Sequence, residues 1–243
     1  MALPKIETPT YELTLPSTGD TISYRPFLVK EQKILLMATE NSEDTRAQIK
    51  AIKQIIKNCI LDKINTDNLP LFDLEYIFLH LRSKSVGEVV DLIYNCQKEG
   101  CEAKTDFQLD LSEVDIIRNE KHTNKIELTD SVGMIMKYPT IKTLNRFNLN
   151  DPNSTLDLNM DSLIGIIASC IESLYDEETV YDPKDSSKEE LVDYISNFSQ
   201  KQFELVQEFF DTSPKIQKKV TLTCSKCNNE NEHVIEGISN FFG

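Results

Sequence analysis

The chain has 243 residues and a mass of 27.8 kDa, enough for one sizeable core or two small ones. Its 40% apolar and 27% charged residues are ordinary for a soluble globular protein, and 26 Lys and Arg against 40 Asp and Glu leave a formal net charge of −14. That balance argues against a nucleic-acid binder, which needs clustered Lys and Arg, and no apolar run approaches the roughly 20 residues of a membrane span.

In chain order, residues 10–15 alternate polar and apolar, 16–20 (Pro-Ser-Thr-Gly-Asp) read as a turn, and Thr21–Tyr24 alternate again, which predicts a β-hairpin with Gly19 supplying the permissive backbone. A short helix follows over Lys30–Thr39, with Ile34, Leu35 and Met37 as its apolar contacts. Between Thr45 and Ile60, the residues Ile49, Ile52, Ile55, Ile56 and Cys59 form a helical stripe opposite a basic face. The run 71–81 is a further helix, burying Leu74, Ile77, Phe78 and Leu81, with Asp73 as the candidate N-cap and His80 as a packed or rim histidine.

The period becomes that of strands at Val89, Val90, Leu92 and Tyr94, and again from Ala103 to Leu111. Residues 112–160 give a mixed signal, with a strand over 134–138 broken at Pro139 and a loop over 148–159. Residues 161–175 read as one helix, capped by Asp161 or Ser162 and lined by Leu163, Ile166, Ile167, Cys170, Ile171 and Leu174. Two short helices, 188–197 and 200–210, precede a strand at Lys219–Thr223 that runs directly into Cys224.

The acidity is uneven. Residues 61–122 hold 7 basic and 13 acidic side chains and residues 123–213 hold 7 and 17, whereas both ends of the chain are close to neutral. The densest run, from Asp176 to Glu190, reads as a solvated loop and helix start, with a docking surface for a basic partner as the alternative.

Composition does not explain the six cysteines. Cys59 and Cys170 fall on helical stripes and read as small core residues. The other four form two pairs, Cys96-x4-Cys101 and Cys224-x2-Cys227, each following an alternating strand and preceding a polar–apolar stretch. This is the outline of two knuckle-bearing hairpins, as in a zinc ribbon, where a tight turn lets both sulfurs face one tetrahedral ion. Three other readings stand beside it. Disulfides suit a secreted chain, but the N-terminal residues lack the pattern of a secretory signal, so a reducing cytosol is expected. A redox CxxC opens a helix, whereas Cys227 is followed by Asn-Asn-Glu-Asn-Glu. Coincidence of core cysteines is the third, and His233 is a substitute ligand if one cysteine goes unused.

A four-cysteine zinc site leaves no open position for a catalytic water, so it serves structure. There is no phosphate loop, H-E-x-x-H or nucleophile elbow, and His80, His122 and His233 are scattered along the chain. The chain reads as no enzyme.

Several stretches carry a family resemblance. Residues 9–19 (Pro-Thr-Tyr-Glu-Leu-Thr-Leu-Pro-Ser-Thr-Gly), 24–31 (Tyr-Arg-Pro-Phe-Leu-Val-Lys-Glu), 72–78 with 81–88, the two cysteine pairs, and the ending 236–243 (Glu-Gly-Ile-Ser-Asn-Phe-Phe-Gly) together resemble the baseplate hub subunit and hub-assembly family of T-even-type, contractile-tailed bacteriophages. The gap of four residues in the first pair departs from the two expected, which bears on the metal geometry of that knuckle. The resemblance implies a non-enzymatic role in building the central hub of the tail baseplate. It also implies other hub or tail proteins as partners, and location in the host cytoplasm during assembly or in the virion. Phe241 and Phe242 are candidate interface anchors, with packing within the chain as the alternative, and the hairpin at 10–24 offers an edge strand to a partner.

The expected architecture is α+β: an N-terminal hairpin with helices over 1–88, a zinc-ribbon-like unit from 89–111 and 214–243, and a mainly helical acidic insertion over 112–213. Cys96, Cys101, Cys224 and Cys227 are the expected ligands of one structural Zn2+. A zinc-ribbon adaptor of the transcription machinery is the alternative function.

Overall fold

The N-terminal alternation folds as expected. A computed structural model describes residues 6–39, 45–146 and 160–236. In it, β1 (Tyr11–Thr14) pairs antiparallel with β2 (Thr21–Tyr24), placing Leu13 opposite Ile22. The intervening turn needs Gly19, whose φ of 79° lies in the left-handed region. Next come α1 (Val29–Thr39), α2 (Thr45–Cys59) and α3 (Leu71–Val86). The α2 stripe is buried as its period demands, with Ile52, Ile55, Ile56 and Cys59 almost wholly out of water. They meet Leu74, Ile77, Phe78 and Leu81 of α3 and the inner face of the hairpin in one core.

Polar contacts join the same pieces. Arg25 Nη2 donates to Glu31 Oε1 at 3.2 Å and to the Asn58 carbonyl at 3.0 Å, and the Leu28 amide donates to Glu31 Oε2 at 2.9 Å. The Phe27 amide donates to Ser85 Oγ at 2.8 Å. Asp73 does not cap α3. The helix starts at Leu71 after Pro70, with no side-chain cap, so Asp73 lies inside the first turn. Its fully buried carboxylate accepts the amide of Ser17 at 3.0 Å and the Ser17 hydroxyl as well.

Gly87, at φ 134°, ends α3 and starts β3 (Val89–Asn95), which pairs antiparallel with β4 (Lys104–Asp110). The next strand, β5 (Ile116–Ile117), belongs to a sheet completed near the chain's end.

The middle of the chain contains more than helices. β6 (Lys125–Glu127) and β7 (Gly133–Met136) pair antiparallel, and α4 (Ile141–Arg146) follows. α5 (Met160–Cys170) includes Asp161 and Ser162 within the helix instead of at its cap. The expected helix to residue 175 is cut short: α5 stops at Cys170 and β8 (Ile171–Tyr175) begins at the next residue. β8 pairs with β7, Met134 facing Leu174, and with β9 (Val180–Tyr181), giving a four-stranded antiparallel sheet in the order β6-β7-β8-β9. Ile171 and Leu174 continue the helical spacing of α5, and pairing with β7 overrides it through bonds such as Lys137 N–H to the Cys170 carbonyl at 2.7 Å. The expected loop at 148–159 lies outside the described residues.

α6 (Lys188–Ser196) and α7 (Gln200–Asp211) open with complete capping boxes, Ser187 with Glu190 and Ser199 with Gln202. Their apolar faces, including Ile195, Val206 and Phe209, close a second core over Met134, Met136, Ile167 and Cys170. His122 is tied into it by Thr212 Oγ1 and the Tyr138 hydroxyl, each 2.9 Å from a ring nitrogen.

β10 (Lys215–Thr223) then pairs antiparallel with β11 (Glu230–Glu236) on one side and with β5 on the other. A third core joins Val90, Leu92 and Leu109 of the first cysteine-bearing hairpin to Ile216 and Ile235 of the second, with Leu79 of α3 and Leu111 beside them. Burial of these side chains supplies about 1.5–3 kcal/mol each, which helps to hold two sequence-distant hairpins together.

Candidate metal centre

Each hairpin delivers its first cysteine at the residue after a strand: Cys96 follows β3 and Cys224 follows β10. In the first tip, the Cys96 amide donates to the Ala103 carbonyl at 2.9 Å and the Cys101 amide to the Lys98 carbonyl at 3.0 Å. Gly100, at φ 76°, makes the left-handed step that turns Cys101 back toward Cys96. The wider spacing of this pair is therefore taken up in the turn. In the second tip, the Cys224 amide donates to the Asn229 carbonyl and the Asn228 amide to the Cys224 carbonyl, both at 2.9 Å, and Asn228 takes the left-handed conformation at φ 52°.

The two tips meet. Cys96 Sγ lies 3.6 Å from Cys227 Sγ, Cys101 Sγ lies 3.9 Å from Cys224 Sγ, and all four sulfurs fall within 4.8 Å of one another. These separations exclude disulfides, whose sulfurs sit about 2.05 Å apart, and all four cysteines are free. A tetrahedral ion with bonds of about 2.3 Å places its sulfurs about 3.8 Å apart. The four cysteines could hold a metal ion with little adjustment.

The two thiols of the second tip are pulled in opposite directions. The backbone amides of Cys227 and Lys226 donate to Cys224 and pull its thiol down to about 6. Cys227 is held the other way: the Asn229 amide lowers it, but burial and the competing sulfurs carry it up to about 11. A metal bound here would displace the proton that this raised value leaves on Cys227.

Two residues that link the tips, Asn231 and Gln97, were not singled out from the sequence. Asn231 is 2% exposed and anchored in its own hairpin, donating through Nδ2 to the carbonyls of Leu222 at 3.2 Å and Asn229 at 3.1 Å. Its Oδ1 accepts the Gln97 amide of the other tip at 2.8 Å. The available signal was the strand period, which puts Asn231 on the same face as the buried Ile235. Tyr94 stacks on His233, ring centroids 4.4 Å apart, so His233 packs between the hairpins and is not one of the four clustered groups.

Cys59 and Cys170 lie in the first and second cores, where burial pushes each thiol up to about 11. His80 packs edge-on against Tyr76, ring centroids 4.4 Å apart. Phe241 and Phe242 lie outside the described residues. Among the described residues no helix is long and apolar enough to cross a membrane.

Fold and site together define an α+β protein that gathers four cysteines from two hairpins. The family profile of T4 bacteriophage base plate proteins matches residues 8–243, and the chain belongs to that family. It is similar to the baseplate hub assembly protein gp26 of Enterobacteria phage T4, with 24% identity over 233 residues covering 96% of this chain and 97% of the relative. No solved structure matches it.

Proposed function

We propose that this chain helps to build the central hub of a contractile-tail baseplate, as a component or an assembly factor, acting through protein–protein contacts and without catalysis. The observation that carries this reading is the family match over residues 8–243, supported by the end-to-end similarity to a hub assembly protein. The setting is the host cell during assembly and the tail baseplate of the virion, with other baseplate proteins as partners. Nothing in the fold or the comparisons supports the transcription adaptor, and that alternative is set aside.

The metal is part of the same proposal. One Zn2+ held by Cys96, Cys101, Cys224 and Cys227 clamps the two hairpin tips in a zinc-ribbon-like unit, so that metal binding adds to folding stability. The four sulfurs within 4.8 Å support it. Partner contacts are assigned to the exposed N-terminal hairpin edge and to Phe241 and Phe242.

The decisive experiment is a nonsense mutation of the gene in its phage, with tail intermediates examined by electron microscopy. Loss of completed baseplates, restored by the wild-type gene in trans, is the expected result. Normal tails in the absence of the protein overturn the proposal.

A further inference from the structure

We propose that Asn231 is the positioning residue of the metal centre: its side chain locks the first cysteine tip onto the second, so that the four sulfurs face one another before an ion arrives. This rests on the metal reading given above and adds to it a residue that is not a ligand.

The two tips lie far apart along the chain, with the whole second core between them, and bringing them together costs closure entropy. A bare set of thiols offsets that cost only once the ion binds. Asn231 offsets part of it in advance. Its carboxamide is buried and used at both ends: Nδ2 is held by two carbonyls of its own hairpin, while Oδ1 accepts Gln97 N–H at 2.8 Å and Asn229 Nδ2 at 3.0 Å. Gln97 is the residue after Cys96, so this bond sets the place of Cys96 directly. Cys96 Sγ itself comes to 3.6 Å from the same oxygen. A second bond between the tips, Gln97 Nε2 to the Glu232 carbonyl at 3.1 Å, is exposed and contributes little.

The arrangement separates three substitutions. Asn231→Ala removes the lock from one side. Gln97→Pro removes the donated amide from the other and leaves Asn231 in place. Gln97→Ala removes only the exposed contact.

The test is Co2+ titration of the purified full-length protein, read in the sulfur-to-cobalt charge-transfer band, with Zn2+ competition for affinity. Outer-shell partners of metal ligands are worth about 10–100-fold in affinity, and that loss is expected for Asn231→Ala and for Gln97→Pro. The double variant is expected to lose no more than either single one, because both cut the same bond. Gln97→Ala stays within about twofold of wild type. The rise in Tm between chelated and zinc-loaded protein shrinks in Asn231→Ala. Affinities within about threefold of wild type for both Asn231→Ala and Gln97→Pro overturn the inference. So does an Asn231→Ala variant that loses the same Tm with and without metal, which marks a residue of structure only. Wild-type protein that takes up neither Co2+ nor Zn2+ overturns the metal reading itself, and the inference with it.

Discussion

Asp73, at the start of α3, accepts two hydrogen bonds from Ser17 in the N-terminal turn, so two of the stretches that carry the family resemblance meet through one buried carboxylate. A second buried carboxylate, Glu31, sits in the same unit with different company: Arg25 and Lys30 reach it, and the Leu28 amide completes its set. The contrast gives opposite pH behaviour. Burial raises Asp73, only partly opposed by the Ser17 bonds. Burial would raise Glu31 too, but the Arg25 bond, the Leu28 amide and the nearby cations outweigh it and lower the group.

For Asp73, the raised value means that its protonated form is favoured on folding. Its contribution is complete below the usual value near 3.8 and is lost as pH rises through the higher folded value. Asp73→Asn removes this titration, so denaturant unfolding should show wild type gaining on the variant as the pH is lowered from neutral. A gain by the variant on acidification would contradict the assignment. Asp73→Ala should cost about 1–3 kcal/mol at neutral pH, because the Ser17 amide is left unpaired, and more as the pH is lowered.

For Glu31, the lowered value means stability that is present above the usual 4.5 and is lost as pH falls through the folded value. Its side chain is fully buried and that of Arg25 is 15% exposed, so breaking the pair leaves a charge out of water. Glu31→Gln and Arg25→Ala should each cost about 3–5 kcal/mol in unfolding free energy. A cost below about 1 kcal/mol for both would show that solvent reaches the pair.

Gly133 is required for packing. A Cβ there would run into the hydroxyl end of Tyr175 and come within 2.7 Å of the Ile126 carbonyl, at the end of the β6-β7-β8 pairing where Gly133 faces Glu127 and Tyr175. Gly133→Ala should destabilise by about 1–3 kcal/mol, measured as the denaturation midpoint. An unchanged midpoint would mean that Tyr175 swings away freely.

The six cysteines should divide by experiment as they do by position. Elemental analysis of Cys96→Ser, Cys101→Ser, Cys224→Ser and Cys227→Ser should find about one zinc per chain lost, together with thermal stability, while Cys59→Ala and Cys170→Ala keep the metal and lose stability through cavities in their helical cores. Folded, metal-free wild-type protein would refute the clamp.

Most helices and both cysteine-bearing hairpins were legible because their signal is local. The α2 stripe repeats within two turns, and each hairpin alternates on either side of a turn that holds two cysteines. Of the central sheet only β7 was legible, from the strand-like run at 134–138, since β6 and β9 are two or three residues long and the apolar residues of β8 continue the helical stripe of α5. Asp73 looked like a cap because it stands near a helix start, and only the turn packed above it shows the carboxylate's real partner.

By itself, then, the sequence determined which faces are apolar, where the chain turns, and that four of its cysteines sit at hairpin tips. The tertiary structure decided that those tips meet, that β5 pairs with β10 although the residues of the second core separate them along the chain, and that Asn231 bridges to Gln97. Periodicity is written within a window of a few residues. Contact between positions 96 and 227 depends on how every intervening element packs, and no local pattern carries that information.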